Sequence, residues 1–167
     1  MNIRIEPAGP EHLAEIAALA ALVWRAHYPG IISPAQIEYM LARMYDVGVM
    51  RDELAAGLGY DRLLLEGELR GFASYGPMPV AGELKLHKLY VHPNFQRQGL
   101  GALLLKHVQS AALARGFTTL MLAVNKRNTR AVAVYRKHGF NVRESAVADI
   151  GGGFVMDDFI MAKPVAE

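Results

Sequence analysis

One stretch, from Leu89 to Gly101, constrains this chain more than any other. An apolar, alternating segment, Glu83 to Val91, runs into Pro93-Asn94, and after a short polar passage Gly99 and Gly101 open a strongly periodic segment. There Leu100, Leu103, Leu104, Val108 and Ala111 recur at the three-and-four spacing of one helical face. Strand, glycine-bearing turn and helix in this order make an anion site. The first N–H groups of a helix lack internal partners, and the helix dipole adds partial positive charge there. Glycine lets the backbone come close to a phosphate and adopt dihedrals that a Cβ forbids. The pattern predicts a phosphate-bearing ligand over the helix start near Gly99. It is neither of the common nucleotide loops. Leu104 stands where the dinucleotide fingerprint needs its third glycine, and no Gly-Lys-Ser/Thr follows.

Gln96, Arg97, Gln98, Gly99, Leu100 and Gly101 resemble the Gln/Arg-x-x-Gly-x-Gly/Ala signature of the GNAT N-acetyltransferases. A second block, Asn125, Asn128, Ala131, Tyr135, Gly139 and Phe140, resembles that family's next conserved segment in order and spacing. The likeness covers most of the chain after about Asp61. It implies an α/β fold of three layers around a mixed, mostly antiparallel sheet, and acetyl-coenzyme A as cofactor. It also implies a cofactor contact set of Leu89, Tyr90, Val91, Gln96, Arg97, Gln98, Gly99, Leu100, Gly101, Ala102, Asn128, Ala131 and Tyr135.

The 167 residues suit a single domain with one core, and 52% apolar content excludes a disordered chain. Net charge is only +2 and the basic residues are dispersed, so no nucleic-acid partner is expected. The start lacks the apolar core of a signal peptide, and the longest apolar run, Ile16 to Trp24, is too short for a bilayer. With no cysteine, disulfides and a cysteine acyl-enzyme are both impossible. These features lead us to expect a cytoplasmic protein with no membrane or metal partner, and they leave a homodimer open.

The remaining elements follow from local signals. Ile3 to Pro7 reads as a strand, and Pro10-Glu11 begins a helix whose buried stripe is Leu13, Ile16, Ala17, Ala20 and Val23. Trp24 is expected in the core. Tyr28 and the loop from Pro29 to Ser33 are candidates for lining a substrate pocket. Ser33-Pro34 caps a helix to about Tyr45, whereas Asp46 to Gly59 fits either a helix or an irregular connection. Leu63 to Glu66 and Leu69 to Tyr75 flank a Gly67 turn as a hairpin. After Gly116, Thr118 to Val124 is a strand, Thr129 to His138 a helix stopped by Gly139, and Phe140 to Met161 a hairpin around Gly151–Gly153.

Acetyl transfer to an amine needs a base, oxyanion donors and an acid. Lysine-like amines have a pKa of about 10, so only about one molecule in a thousand is neutral at pH 7. Alternation places Glu83, Lys85, His87, Leu89 and Val91 on one face of their strand. An unperturbed imidazole, with a pKa of about 6.5, suits a base, and the surroundings of His87 resemble the arylalkylamine branch of the family, where a histidine in this place is a proposed base. Glu83, acting through a water, is the competitor; a purely structural His87 is an equally weighted reading. Tyr135 shares a helical stripe with Ala131 and His138, and the resemblance makes it the general acid at the cofactor sulfur, against the plainer role of a core aromatic. Asn128 caps its helix, contacts the cofactor, or does both. Backbone groups of Leu89, Tyr90 and Val91 would meet the pantetheine arm and supply oxyanion donors. Lys126, Arg127 and Arg130 are candidates for the cofactor's remaining phosphate, although a solvated role suits any one of them better. The C-terminal hairpin resembles Pai-type polyamine acetyltransferases, which makes Asp149, Asp157 and Asp158 candidates for attracting a polycation. The expected activity is direct acetyl transfer in a ternary complex to a small primary amine, polyamine-like. The alternatives are an acyl-coenzyme A-binding regulatory module and an acetyltransferase of protein or peptide N-termini.

Overall fold

The computed structural model describes residues 1–166. Two compact units make up the chain, residues 1–76 with 86–108, and residues 77–85 with the chain from 109 onward. The strands are β1 (Ile3–Pro7), β2 (Gly59–Leu65), β3 (Glu68–Pro77), β4 (Glu83–Val91), β5 (Thr119–Asn125), β6 (Asn141–Gly151) and β7 (Phe154–Pro164). The helices are α1 (Leu13–His27), α2 (Pro34–Met44), α3 (Val47–Ala55), α4 (Leu100–Ala114) and α5 (Thr129–Lys137). The sheet is seven-stranded and mixed, in the order β1-β2-β3-β4-β5-β7-β6. β1–β2, β2–β3, β5–β7 and β6–β7 pair antiparallel, and β4–β5 pairs parallel through Glu83 to Lys85.

Local chemistry accounts for the boundaries. Ser33 Oγ accepts from the Gln36 N–H with Pro34 as the first helical residue, as the sequence predicts. The open question after Asp46 is resolved as a helix, because the Asp46 carboxylate accepts from the Val49 N–H and caps α3. In the first unit, successive residues of β2 point to opposite layers. Tyr60 donates to Glu53 of α3 at 2.7 Å, while Asp61 meets His107 of α4 at 2.8 Å. Helices therefore cover both faces of this part of the sheet. Gly71 of β3 makes the α4 side possible. A Cβ there would stand 3.0 Å from the Tyr90 carbonyl and 3.2 Å from Leu104 Cδ1.

Three expectations need correction. The inward face of α4 is Leu100, Leu104, Leu105, Val108 and Ala112, all buried, whereas Leu103 is exposed and Ala111 half-buried. The three-and-four spacing admits two neighbouring arcs, and contact with the sheet selects the one centred on Leu104 and Val108. On β4, alternation holds from Glu83 to Lys88, with Leu84, Leu86 and Lys88 buried and His87 exposed. It ends there, since Leu89 and Tyr90 are both half-buried and Val91 is buried at the bend into the turn. The stripe on α5 is only half-buried at Ala131, Tyr135 and His138, and no residue of this helix is fully buried.

Candidate functional site

The first unit presents the glycine turn. Beyond β4, His92 caps a 3-10 turn (Pro93–Phe95), accepting from the Asn94 N–H at 3.1 Å. Burial and the nearby Arg70 guanidinium hold this imidazole below its ordinary pKa. Gln96 then folds back and donates to the Val91 carbonyl at 3.2 Å, fixing the distance between strand end and helix start. Arg97 takes φ +64° and Gly99 φ +79°. A non-glycine residue in this region is uncommon, and such strain concentrates at ligand-binding turns. Residues in this conformation aim successive N–H groups toward one concavity. The first helical hydrogen bond of α4 runs from the Leu103 N–H to the Gly99 carbonyl at 3.0 Å. The N–H groups of Leu100, Gly101 and Ala102 accordingly have no carbonyl within the helix. A Cβ built at Gly99 meets no atom within 4 Å, and one at Gly101 meets only Val91 Cγ2 at 3.9 Å. An open concavity lined by helix-start donors fits a diphosphate.

The same unit holds an aromatic cluster behind β4. Tyr28 and Tyr90 share a hydrogen bond between hydroxyls at 2.9 Å, and the ring of Trp24 lies 4.3 Å from Tyr28 and 5.9 Å from Tyr90. Trp24 is in the core as expected, and Tyr28 is buried as well. Lys88, one residue past His87, is buried on the opposite side. Its ammonium donates to the Tyr60 hydroxyl, lies 4.4 Å over the Tyr45 ring and is 3.6 Å from Glu53. Burial lowers its pKa, and Glu53 opposes that shift. Burial likewise pushes the Tyr45 and Tyr60 phenols up.

The second unit carries the remaining candidates. Both oxygens of Glu83 are held by the Arg143 guanidinium, at 2.7 and 3.2 Å. Asn128, just before α5, is buried, but its side chain does not cap the helix. The turn is instead closed by Asn125, whose Oδ1 accepts from the Arg127 N–H at 2.9 Å. Asn128 holds the N-cap position without a side-chain cap bond, so the side-chain capping expectation is not met, and the Asn125 bond shapes the turn before the helix rather than its first turn. Tyr135 stacks edge-on against Phe140 at 5.5 Å.

The hairpin acids separate into different roles. Asp149 accepts from the Gly151 N–H at 2.9 Å and shapes its own turn. Asp157 pairs with Lys126 at 2.8 Å, which also occupies one of the cations considered for the cofactor. Asp158 is half-buried, and its Oδ1 has no hydrogen-bond partner among the described residues. Burial raises its pKa, with Lys85 opposing and Asp157 adding to the rise. Sequence reasoning missed the Arg143 clamp and the Asp61 cluster, in which one carboxylate oxygen takes Tyr75 at 2.5 Å and His107 at 2.8 Å. The partners are 14 to 60 residues apart, and no local periodicity links them.

Comparison with known proteins matches residues 16–140 to the family model described as Acetyltransferase (GNAT) family. The chain is 35% identical over 108 residues to the [ribosomal protein bS18]-alanine N-acetyltransferase of Escherichia coli, covering 63% of this chain and 70% of that one. It is 24% identical over 160 residues to spermidine N(1)-acetyltransferase of Thermoplasma acidophilum, covering 94% and 97%. The crystal structure of the PaiA N-acetyltransferase from Thermoplasma acidophilum, in complex with coenzyme A, superposes with TM-score 0.83 at 25% identity, covering 98% of this chain and 99% of that one.

Proposed function

Because the chain belongs to the GNAT acetyltransferase family and is an acetyl-coenzyme A-dependent acyltransferase acting on amines, we propose that its acceptor is a polyamine-like primary amine. The observation that carries this reading is Asp158. Of the three hairpin acids, it alone keeps a buried carboxylate oxygen without a hydrogen bond, and an unpaired buried acceptor is a strong point of attachment for an ammonium. The near full-length likeness to a spermidine acetyltransferase supports the same acceptor class.

Bound acetyl-coenzyme A supplies the acetyl thioester. The N–H groups of Leu100, Gly101 and Ala102 would hold its diphosphate, bordered by Gln96, Arg97 and Gln98, and backbone groups of Leu89, Tyr90 and Val91 would meet its amide-bearing arm. Asn128 and Ala131 complete the cofactor contacts. His87, exposed on β4, accepts the proton that the amine must lose. Glu83 is the weaker base, since both its oxygens already accept from Arg143. Tyr135 would supply its phenolic proton to the leaving thiolate. Tyr28, whose hydroxyl pairs with Tyr90, borders the acceptor, and Asp157 screens Lys126 rather than binding substrate itself.

Two measurements test the scheme. Tyr135→Phe lowers kcat by about 10²–10⁴-fold while the Kd for acetyl-coenzyme A stays within about twofold. Unchanged kcat removes the acid assignment. Thiol release across spermidine, an arylalkylamine and an alanine-initiated peptide gives the highest kcat/KM with spermidine. The 35% identity to a ribosomal-protein alanine acetyltransferase favours the second reading, a peptide N-terminus, and a peptide preference in this panel establishes it in place of the first.

A further inference from the structure

At the C-terminal end of β7, Met161 and Lys163 are buried, as is Val165 just beyond the strand, so a lysine occupies a position flanked at i−2 and i+2 by buried apolar side chains. A buried ammonium is retained only where specific partners hold it. Lys163 Nζ donates to the carbonyl of His138 at 2.9 Å and to Gln109 Oε1 at 2.9 Å, and Gln109 in turn donates to the Val165 carbonyl at 3.1 Å. His138 is the residue at which α5 ends. The ammonium also lies 5.8 Å from the centroid of Phe140, the ring on which Tyr135 rests edge-on.

The helix it holds is weak by itself. α5 has nine residues and no fully buried side chain, and helices this short are marginal without tertiary support. Its last carbonyls otherwise meet groups local to the helix end, the His138, Gly139 and Phe140 N–H groups and the His138 imidazole Nδ1, which lies 2.8 Å from the Val134 carbonyl. A cation at the C-terminal end also complements the helix dipole. Lys163 thus touches both structures that set where the Tyr135 phenol sits: the end of its helix and the ring behind it.

We propose that Lys163 is a positioning residue for acetyl transfer, anchoring the C-terminal end of α5 so that Tyr135 is held at its proton-transfer geometry. The proposal rests on the acid role of Tyr135. Its test uses the full chain carrying Lys163→Met, Lys163→Arg and Gln109→Met, the first in both the native and Tyr135→Phe backgrounds. Misplacement of a reacting group by about 1 Å costs up to about 100-fold, so Lys163→Met lowers kcat by about 10–100-fold with little change in the Kd for acetyl-coenzyme A. Lys163→Arg restores part of that loss, and Gln109→Met, which removes one Nζ partner, gives a smaller loss in the same direction. In the Tyr135→Phe background Lys163→Met adds no further loss, because the group it positions is gone. An equal loss in both backgrounds overturns the proposal, as does a native kcat in Lys163→Met. Amide hydrogen exchange separates the two premises. Faster exchange at 138–140 in Lys163→Met, relative to β5, establishes the anchor whatever Tyr135 does, and unchanged exchange there overturns it. An unchanged kcat in Tyr135→Phe alone overturns the acid reading instead.

Discussion

Gly99→Ala isolates the anion turn from the stability of the helix that follows it. Gly99 (φ +79°) and Gly116 (φ +82°) flank α4, and a Cβ at either would meet no atom within 4 Å. Alanine at either site therefore brings no clash, only the left-handed backbone penalty of about 1–2 kcal/mol. For a chain of this size each kcal/mol lowers Tm by about 2–4 °C, so both variants should melt about 2–8 °C early. Their ligand responses should differ. At Gly99 the strain relaxes by rotating the N–H groups at the start of α4 away from their common concavity. Losing one hydrogen bond to a charged oxygen costs about 1.5–3 kcal/mol, or roughly 10–150-fold in Kd. Titration calorimetry with coenzyme A should show that weakening for Gly99→Ala and no more than about twofold for Gly116→Ala, whose glycine closes the far end of the helix. Equal affinities in the two variants would refute the placement of the diphosphate.

The buried Asp158 carboxyl titrates above the ordinary 3.8, so its folded state binds the proton more tightly than the unfolded chain does. Its contribution is present below that ordinary value and is lost as pH rises through the raised one. Asp158→Asn should therefore raise Tm at neutral pH, with the gain vanishing below about pH 4, and should raise the KM for spermidine; a lower Tm at pH 7 would contradict the unpaired oxygen. Asp61→Ala strips Tyr75 and His107 of their shared acceptor and should cost about 1.5–3 kcal/mol in urea denaturation, whereas a cost near zero would mean that water replaces the carboxylate without loss.

The amino-acid order alone determined what depends on neighbours within a few residues. Ser33 and Pro34 start a helix because the cap and its donor lie three residues apart, Gly99 and Gly116 bracket α4 because a left-handed residue there needs no Cβ, and Glu83 to Lys88 alternates because a strand has two sides. The family resemblance arose from the same local order, since each of its two blocks is contiguous. Folding alone decided which arc of α4 turned inward, which of three hairpin acids kept an unpaired oxygen, and that Glu83 was clamped by Arg143, 60 residues away. It also brought Lys163 to the end of α5, a contact spanning 25 residues. Periodicity encodes the face on which a side chain lies. The group across from it is chosen by the pairing of distant strands and by the cost of leaving a buried charge alone.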